Sequence, residues 1–168
     1  LGAQVVEKLL SFGGKVTFRP HPETLKSSSK IINKITSKHC NNKMFIYDES
    51  VASLDSFYQS DFMISDWSGA ALEYSFGLNK PVIFLDLPKK VNNPRYKEIN
   101  VVPLEASVRE DIGVIVSIDN LTSSLISTLS YTEVDPSKYV FNIGKSDFYG
   151  VQYILDMVDN LCNKKSNS

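Results

Sequence analysis

Two apolar strands joined by a polar turn and a short helix are the feature that most constrains the fold of this chain. The pattern predicts buried strands at Asp61–Ser65 and Pro81–Leu85 and a helix at Gly69–Phe76 between them. Buried strands linked through a helix are typical of a parallel sheet, because the connection has to cross one face of the sheet. The polar turn Ser65–Gly69 then lies where the carboxyl end of a strand meets the amino end of a helix.

The same alternation continues along the chain. Further strands are predicted at Lys15–Arg19, Met44–Tyr47 and Gly113–Ser117. Further helices are predicted over the first ten residues and at Leu25–Lys38, Val51–Gln59, Asn120–Ser130 and Tyr149–Leu161. Residues 86–108 are predicted to form a long irregular connection. The fold class expected from this pattern is α/β, a Rossmann-like parallel sheet with helices on both faces, in one domain over 1–162 with a frayed tail at 163–168.

Composition excludes several classes of protein. The 168 residues are 42% hydrophobic and 22% charged, with a formal net charge of −1. Such a balance argues against a general nucleic-acid binder, which needs excess cations, and no apolar run reaches the roughly 20 residues that span a bilayer. Cys40 and Cys162 lack metal-ligand spacing and are expected to be free thiols, so no metal site is predicted. The chain starts with a helix-interior pattern at Leu1, and we expect a piece of a longer protein.

The turn between the two apolar strands is the first candidate site. Free N–H groups and the helix dipole favour phosphate at a helix amino end. Ser68 is placed to cap the helix, while Gly69 and the alanines after it leave the backbone approachable. Ser65 and Asp66 complete the turn, and Asp66 is expected either to accept N–H bonds or to orient a nearby histidine. The alternative is an ordinary capped turn.

Glu73 lies one turn into the same helix. A carboxylate there can accept hydrogen bonds from the two hydroxyls of a ribose while the helix start holds the phosphates. The alternative is an acidic residue that only complements the helix dipole.

Arg19 and His21 form the second candidate cluster, at the end of an earlier strand. Pro20 and Pro22 flank His21 and stiffen the loop. An imidazolium can donate to a diphosphate and stabilise charge on a departing phosphate, and Arg19 offers a bidentate fork to the same group. Two alternatives stay open: Arg19 is a structural partner of a carboxylate, and His21 is an ordinary surface or core histidine.

These motifs together resemble the CDP-glycerol glycerophosphotransferase family, the teichoic-acid primases and polymerases of the GT-B fold. The resemblance rests on Arg19-Pro20-His21-Pro22, the Ser65–Gly69 turn, Glu73 and the strand Pro81–Leu85 with Asp86. It covers roughly residues 10–130, which corresponds to the carboxyl-terminal, donor-binding half of such an enzyme. The turn departs from the family at Trp67 and Gly69, where its polymerases tend to have Tyr and Ser, and related capsule or sugar transferases share the same frame.

The resemblance implies a role for each candidate residue. His21 and Arg19 would contact the donor's diphosphate as catalytic residues, and the Ser65, Asp66, Ser68 and Gly69 turn would bind its phosphates. Glu73 would hold the ribose, and the base would lie near 101–105. The donor would be a CDP- or UDP-activated substrate, CDP-glycerol or a nucleotide sugar, and the resemblance implies no cofactor or metal.

The resemblance also implies partners outside this chain. The catalytic base would come from an amino-terminal acceptor domain, and the acceptor would be a cell-surface polymer or glycan. The expected location is the cytoplasm, with peripheral association of the full-length protein at the inner face of the membrane. Two alternatives remain: a UDP-sugar 2-epimerase-like enzyme, which needs extra carboxylates in its cleft, and a non-catalytic nucleotide-binding module.

Overall fold

A computed structural model of the chain describes residues 1–168 except 51, 52, 90, 92, 94, 100, 129–134, 167 and 168. The side chains of 97, 126–128 and 161–166 are also outside the description. Contacts along the chain divide it into two compact units, 1–134 and 135–168. The single domain predicted over 1–162 stays a prediction.

The first unit alternates strands and helices as the sequence predicts. Its strands are β1 Val16–Phe18, β2 Phe45–Tyr47, β3 Met63–Ser65, β4 Val82–Leu85 and β5 Gly113–Val116. Its helices are α1 Gly2–Ser11, α2 Pro22–Ser27, α3 Ser29–His39, α4 Asp55–Gln59, α5 Ala70–Leu78, α6 Leu104–Ser107, α7 Arg109–Ile112 and α8 Leu121–Thr128, with a 3₁₀ turn at Tyr96–Glu98.

All of the described strand pairs are parallel, which confirms the predicted α/β class. They form two small sheets: β1 pairs with β2, and β3, β4 and β5 pair in that order. β4 is buried along its whole length because it has a strand on each side. Parallel sheets of this kind are covered by helices, which explains why β4 is a continuous apolar run rather than an alternating one.

Two apolar clusters form the core. The larger cluster joins α1 and α8 to one face of the three-stranded sheet; its buried members are Val5, Ile83, Leu85, Val116, Leu121 and Leu125. The smaller cluster joins α1 and α3 to the two-stranded sheet through Val6, Val16 and Ile35. α1 therefore contributes to both clusters through neighbouring residues.

The helix predicted over Leu25–Lys38 is wrong as one continuous element. The structure has two helices, α2 and α3, separated at Ser28, whose φ of −136° and ψ of 31° are not helical. α2 begins earlier than predicted because Pro22 occupies its first turn and the His21 side chain accepts a hydrogen bond from the Glu23 N–H. Residues 51 and 52 of the predicted helix Val51–Gln59 lie outside the described residues; the described part is α4.

The connection at 86–108 is less irregular than predicted. It contains the 3₁₀ turn Tyr96–Glu98 and the short helix α6, and α7 follows directly after it and leads into β5. Runs of three or four residues lack the repeated apolar spacing that identifies a longer helix in sequence, which explains why they were not predicted.

The second unit contains a 3₁₀ turn at Pro136–Lys138 and one long helix, α9 Ser146–Ser166. α9 is longer at both ends than the helix predicted over Tyr149–Leu161, and it continues into the predicted tail. Its described apolar side chains are exposed. Among the described residues, no helix combines the length and apolar character needed to span a membrane.

We expect that replacing Ser75 with alanine stabilises the protein. Its side chain in α5 is 0% exposed and its hydroxyl has no hydrogen-bond partner. Removing a buried, unpartnered hydroxyl relieves a desolvation cost, and alanine also has the higher helix propensity. Ser75→Ala should raise the free energy of unfolding by about 1 kcal/mol, measured by urea titration.

Ser123→Ala is the matched control, because the exposed Ser123 hydroxyl donates to the Asn120 carbonyl in a helix of similar length. Its effect should stay within about 0.5 kcal/mol. A loss of stability in Ser75→Ala greater than in the control would show that the Ser75 hydroxyl has a partner in solution.

Candidate functional site: the turn between β3 and α5

The turn Ser65–Gly69, called here the β3–α5 turn, ends a parallel strand and begins α5. The Ser68 hydroxyl accepts a hydrogen bond from the Ala70 N–H at 3.4 Å, as the predicted capping role requires. The Ala71 and Leu72 N–H groups donate to the Ser68 and Gly69 carbonyls. The N–H groups of Gly69 and Ala70 are thus left at the helix start with no backbone acceptor in the described structure.

The backbone at this helix start is open to solvent. Gly69 is exposed, and a Cβ placed on it would meet no heavy atom within 4 Å. Asp66 and Glu73 are exposed, while Ser65 and Ser68 are half-buried. The approachable backbone expected from the small residues is therefore present, with a carboxylate one helical turn away.

Trp67 ties the turn to the chain that follows β4. Its indole N–H donates to the Leu87 carbonyl at 3.1 Å. This bond joins two segments that follow adjacent strands of the sheet, so the turn and the end of β4 hold one another in place. A fixed turn presents its N–H groups in one geometry, which reduces the ordering needed when an anion binds.

Arg109, from α7, also belongs to the site, although no pattern in the sequence predicts it. Its side chain is 4% exposed and lies between two rings, 4.0 Å from the Trp67 centroid and 4.6 Å from that of Phe84. It donates to the Leu85 carbonyl at 3.1 Å, while its Nε atom is buried without a partner. The guanidinium therefore braces the β3–α5 turn against the end of β4 by stacking and one hydrogen bond.

Burial dominates the electrostatics of this guanidinium. Removal from water lowers the pKa of Arg109, and the negative charges of Asp86 and Asp66 act in the opposite direction. Asp66 thus has an identified electrostatic partner in Arg109; the predicted alternatives, N–H acceptance or orientation of His21, stay predictions. Nothing in the sequence around Arg109 distinguishes it from a solvated helix cation, since its burial comes from Trp67 and Phe84.

His21 follows β1 and is exposed. Its Nδ1 atom accepts a hydrogen bond from the Glu23 N–H at 3.2 Å and so caps α2. In the neutral ring, this bond assigns the proton to Nε2, which leaves Nε2 as a donor. Pro22 follows the histidine in the first turn of α2. The stiffening of this loop by Pro20 and Pro22 stays a prediction.

Arg19 is held by the chain between β2 and α4. Its guanidinium donates to the Ser53 carbonyl at 2.7 Å and to the Ser56 hydroxyl at 3.1 Å, and it lies 3.9 Å from the Asp48 carboxylate. The Phe57 ring is 5.0 Å away. These contacts match the structural alternative for Arg19, the partner of a carboxylate.

The two predicted clusters follow strands of different sheets. The hydrogen bonds described for Arg19 and His21 go to residues 23, 53 and 56, and none of them reaches the β3–α5 turn. Within the described residues, no group of three or more His, Cys, Asp or Glu is placed to hold a metal ion. Cys40 is free and exposed, and the Cys162 side chain lies outside the described residues.

The geometry identifies an open, braced helix start as the part of this chain best suited to an anionic ligand. It does not by itself select one family of proteins. No family model matches the chain, and neither a curated protein nor a solved structure does so.

Proposed function

We propose that this chain is the nucleotide-donor-binding domain of a transferase of the GT-B class. The transferase would move glycerol phosphate, a polyol phosphate or a sugar from a CDP- or UDP-activated donor to a cell-surface polymer or glycan. The resemblance to CDP-glycerol glycerophosphotransferases motivates this choice. The acceptor domain and the catalytic base would belong to the rest of the enzyme.

The observation that carries the proposal is the open amino end of α5. Among the described contacts, the Gly69 N–H has no acceptor and the Ala70 N–H donates only to the Ser68 hydroxyl, at 3.4 Å. Both N–H groups would donate to a phosphate bound at the exposed start of the nine-residue helix α5. Glu73 is exposed one turn further along, at the distance at which a carboxylate can reach a ribose while the phosphate stays at the helix end. Phosphate followed by ribose is the order of groups in a nucleotide.

The arrangement of strands supports the same proposal. We take the two parallel sheets as parts of one Rossmann-like sheet, in which ligands bind beyond the carboxyl ends of the strands. His21 and the β3–α5 turn both lie at such ends. The Nε2 donor of His21 would contact the donor's diphosphate. A direct contact of Arg19 with the diphosphate stays a prediction. It would require the guanidinium to leave its contacts with Ser53, Ser56 and Asp48.

A non-catalytic nucleotide-binding module is the second candidate function. The contacts of Arg19 with the Ser53 carbonyl and the Asp48 carboxylate favour this second function. A transferase that stabilises its leaving phosphate through Arg19 would need the guanidinium to contact the phosphate instead. Turnover by the full-length enzyme that falls in His21→Ala would support the transferase. Nucleotide binding without turnover would support the module.

Gly69→Asp should weaken nucleotide binding at least tenfold. The new carboxylate would stand beside the two N–H groups and repel a phosphate, as expected for like charges at short range. It should not harm folding, because Asp is favourable at a helix start and the site has room for a Cβ. The measurement is calorimetric titration with CDP-glycerol, CDP, UDP, a UDP-sugar and CMP.

Gly69→Asn is the matched control, since it adds the same shape without the charge and should bind within about threefold of the wild type. Equal affinity of Gly69→Asp and Gly69→Asn for the diphosphates would exclude the helix start as the phosphate site.

Tighter binding of CDP than UDP would favour a CDP-linked donor, and the reverse order would favour sugar transfer. No binding by the wild type in the full-length protein would refute the proposed function.

A further inference from the structure

The outer edge of β1 carries backbone groups that no described strand pairs with. The Val16 N–H donates to the Met44 carbonyl at 2.7 Å, and the Phe18 carbonyl accepts from the Asp48 N–H at 3.0 Å. Val16 and Phe18 therefore direct their backbone groups toward β2. Since successive residues of a strand alternate, Thr17 directs its N–H and carbonyl toward the opposite edge.

β3 has the same arrangement on the second sheet. The Met63 N–H donates to the Pro81 carbonyl at 3.2 Å, and Met63 and Ser65 are in register with β4. Ile64 lies between them and directs its N–H and carbonyl away from β4. In the described structure β3 ends its sheet at this edge, just as β1 ends the other.

α1 packs over both of these sheets. Val6 belongs to the cluster with Val16 of β1, and Val5 belongs to the cluster with Ile83 and Leu85 of β4. Leu9 packs against both clusters. A single helix can cover two sheets in this way only if they lie side by side beneath it, so the free edges of β1 and β3 belong to one layer.

We infer that one further strand, supplied by a segment of the full-length protein outside residues 1–168, fits between β1 and β3 and joins the two sheets. It would run parallel to both and receive hydrogen bonds from Thr17 on one side and Ile64 on the other. Neighbouring strands are spaced about 4.8 Å apart, so a single added strand requires β1 and β3 to lie roughly 10 Å from one another.

The helices specify the direction in which this strand connects. The step from β1 through α3 to β2 places α3 on the face that α1 also covers, since Ile35 and Val6 share one cluster. A strand that leads into α1 and then β1 repeats that step on the other side of β1, with the same hand, as parallel connections require. The occupant is therefore a strand that immediately precedes α1, and its face beneath Val5 and Val6 would be apolar.

The inferred strand would also complete the surroundings of the β3–α5 turn, whether or not a ligand binds there. The strand order would become β2, β1, the added strand, β3, β4, β5, with the chain leaving in opposite directions from the added strand and β3. Ligands bind at such a switch point in open parallel sheets. The β3–α5 turn would then stand directly beside the carboxyl end of the added strand.

Amide hydrogen exchange by NMR tests the inference on two chains. The first is the 168-residue protein. The second is the same protein extended before Leu1 by a strand of about five Val and Ile residues and a Gly-Asp-Ser loop. In the 168-residue protein the Thr17 and Ile64 amides should exchange quickly, while those of Val16 and Met63 are protected. The added strand should slow exchange at Thr17 and Ile64 at least tenfold. A proline at the centre of that strand should abolish the gain, because proline lacks the N–H.

Three results would overturn the inference. Protection of Thr17 and Ile64 in the 168-residue protein would assign the edges to a segment within it. Protection that appears only at high protein concentration, together with a dimer in light scattering, would assign them to a second copy. Unchanged exchange with both the Val/Ile strand and a second strand of Leu and Phe would show that no strand fits. Since no nucleotide is present, these outcomes are separate from the proposed function.

Discussion

Replacing Gly113 with alanine should lower the free energy of unfolding by about 3 kcal/mol or more. Gly113 is the first residue of β5 and pairs with Val82 of β4. A Cβ at Gly113 would lie 1.8 Å from the Val82 carbonyl oxygen and 2.7 Å from its carbonyl carbon. β4 is buried along its length and has a strand on each side, so its backbone cannot yield without loss of pairing to β3 or β5.

Thermal and urea unfolding would measure the effect, with a Tm about 10 °C lower expected for a domain of this size. Gly77→Ala is the matched control, because a Cβ there meets nothing within 4 Å and alanine favours the helix. The control should be neutral or slightly more stable. Stability of Gly113→Ala within about 0.5 kcal/mol of the wild type would mean that β4 and β5 are not as close as the structure has them.

Replacing Arg109 with alanine is expected to cost about 3 kcal/mol, because it empties the space between two rings. The change removes the stacking on Trp67 and Phe84 and the hydrogen bond to the Leu85 carbonyl. Trp67 is the single tryptophan of the chain, so its fluorescence reports on this contact directly. The emission maximum should move to longer wavelength as water reaches the indole, even under conditions where the protein stays folded.

Two further variants separate the loss of packing around Arg109 from the loss of its charge. Arg109→Met keeps much of the volume without the buried charge, and it should recover at least half of the stability lost in Arg109→Ala. Arg95→Ala removes an exposed arginine paired with Glu98 and should change stability by less than about 0.5 kcal/mol. An Arg109→Ala protein with unchanged tryptophan emission and the stability of the Arg95 control would rule out the bracing role of Arg109.

Local periodicity in the sequence was sufficient to predict the strands and several of the helices. β4 is identified by its continuous apolar residues, and α5 by the polar turn before it and its short apolar run. These patterns predict well because burial on a sheet or under a helix repeats at a fixed spacing. The three serines at 27–29 are typical of a loop or a helix start, and α3 does begin at Ser29. The helix predicted over Leu25–Lys38 ran across them because Leu25 continues the apolar spacing of α3, whereas Pro22 starts a separate helix.

The candidate site was predicted only in part. Ser68 and Gly69 could be identified because a cap and an unencumbered helix start depend on adjacent residues. The position of Arg19 beside His21 suggests a phosphate-binding side chain, whereas the structure shows its guanidinium in contact with other protein groups. Its partners Asp48, Ser53 and Ser56 lie between 29 and 37 residues further along the chain, and no local pattern connects them to Arg19.

The sequence by itself determined the order of the strands and of the longer helices, the parallel class of the sheet and the open helix start after β3. Each of these follows from residues within a few positions of one another. Only the tertiary structure decided that Arg109 is enclosed by Trp67 and Phe84, that Gly113 lies against Val82, and that α1 covers two sheets. Those contacts join segments far apart in the chain, and their energy depends on how whole elements pack rather than on local propensity.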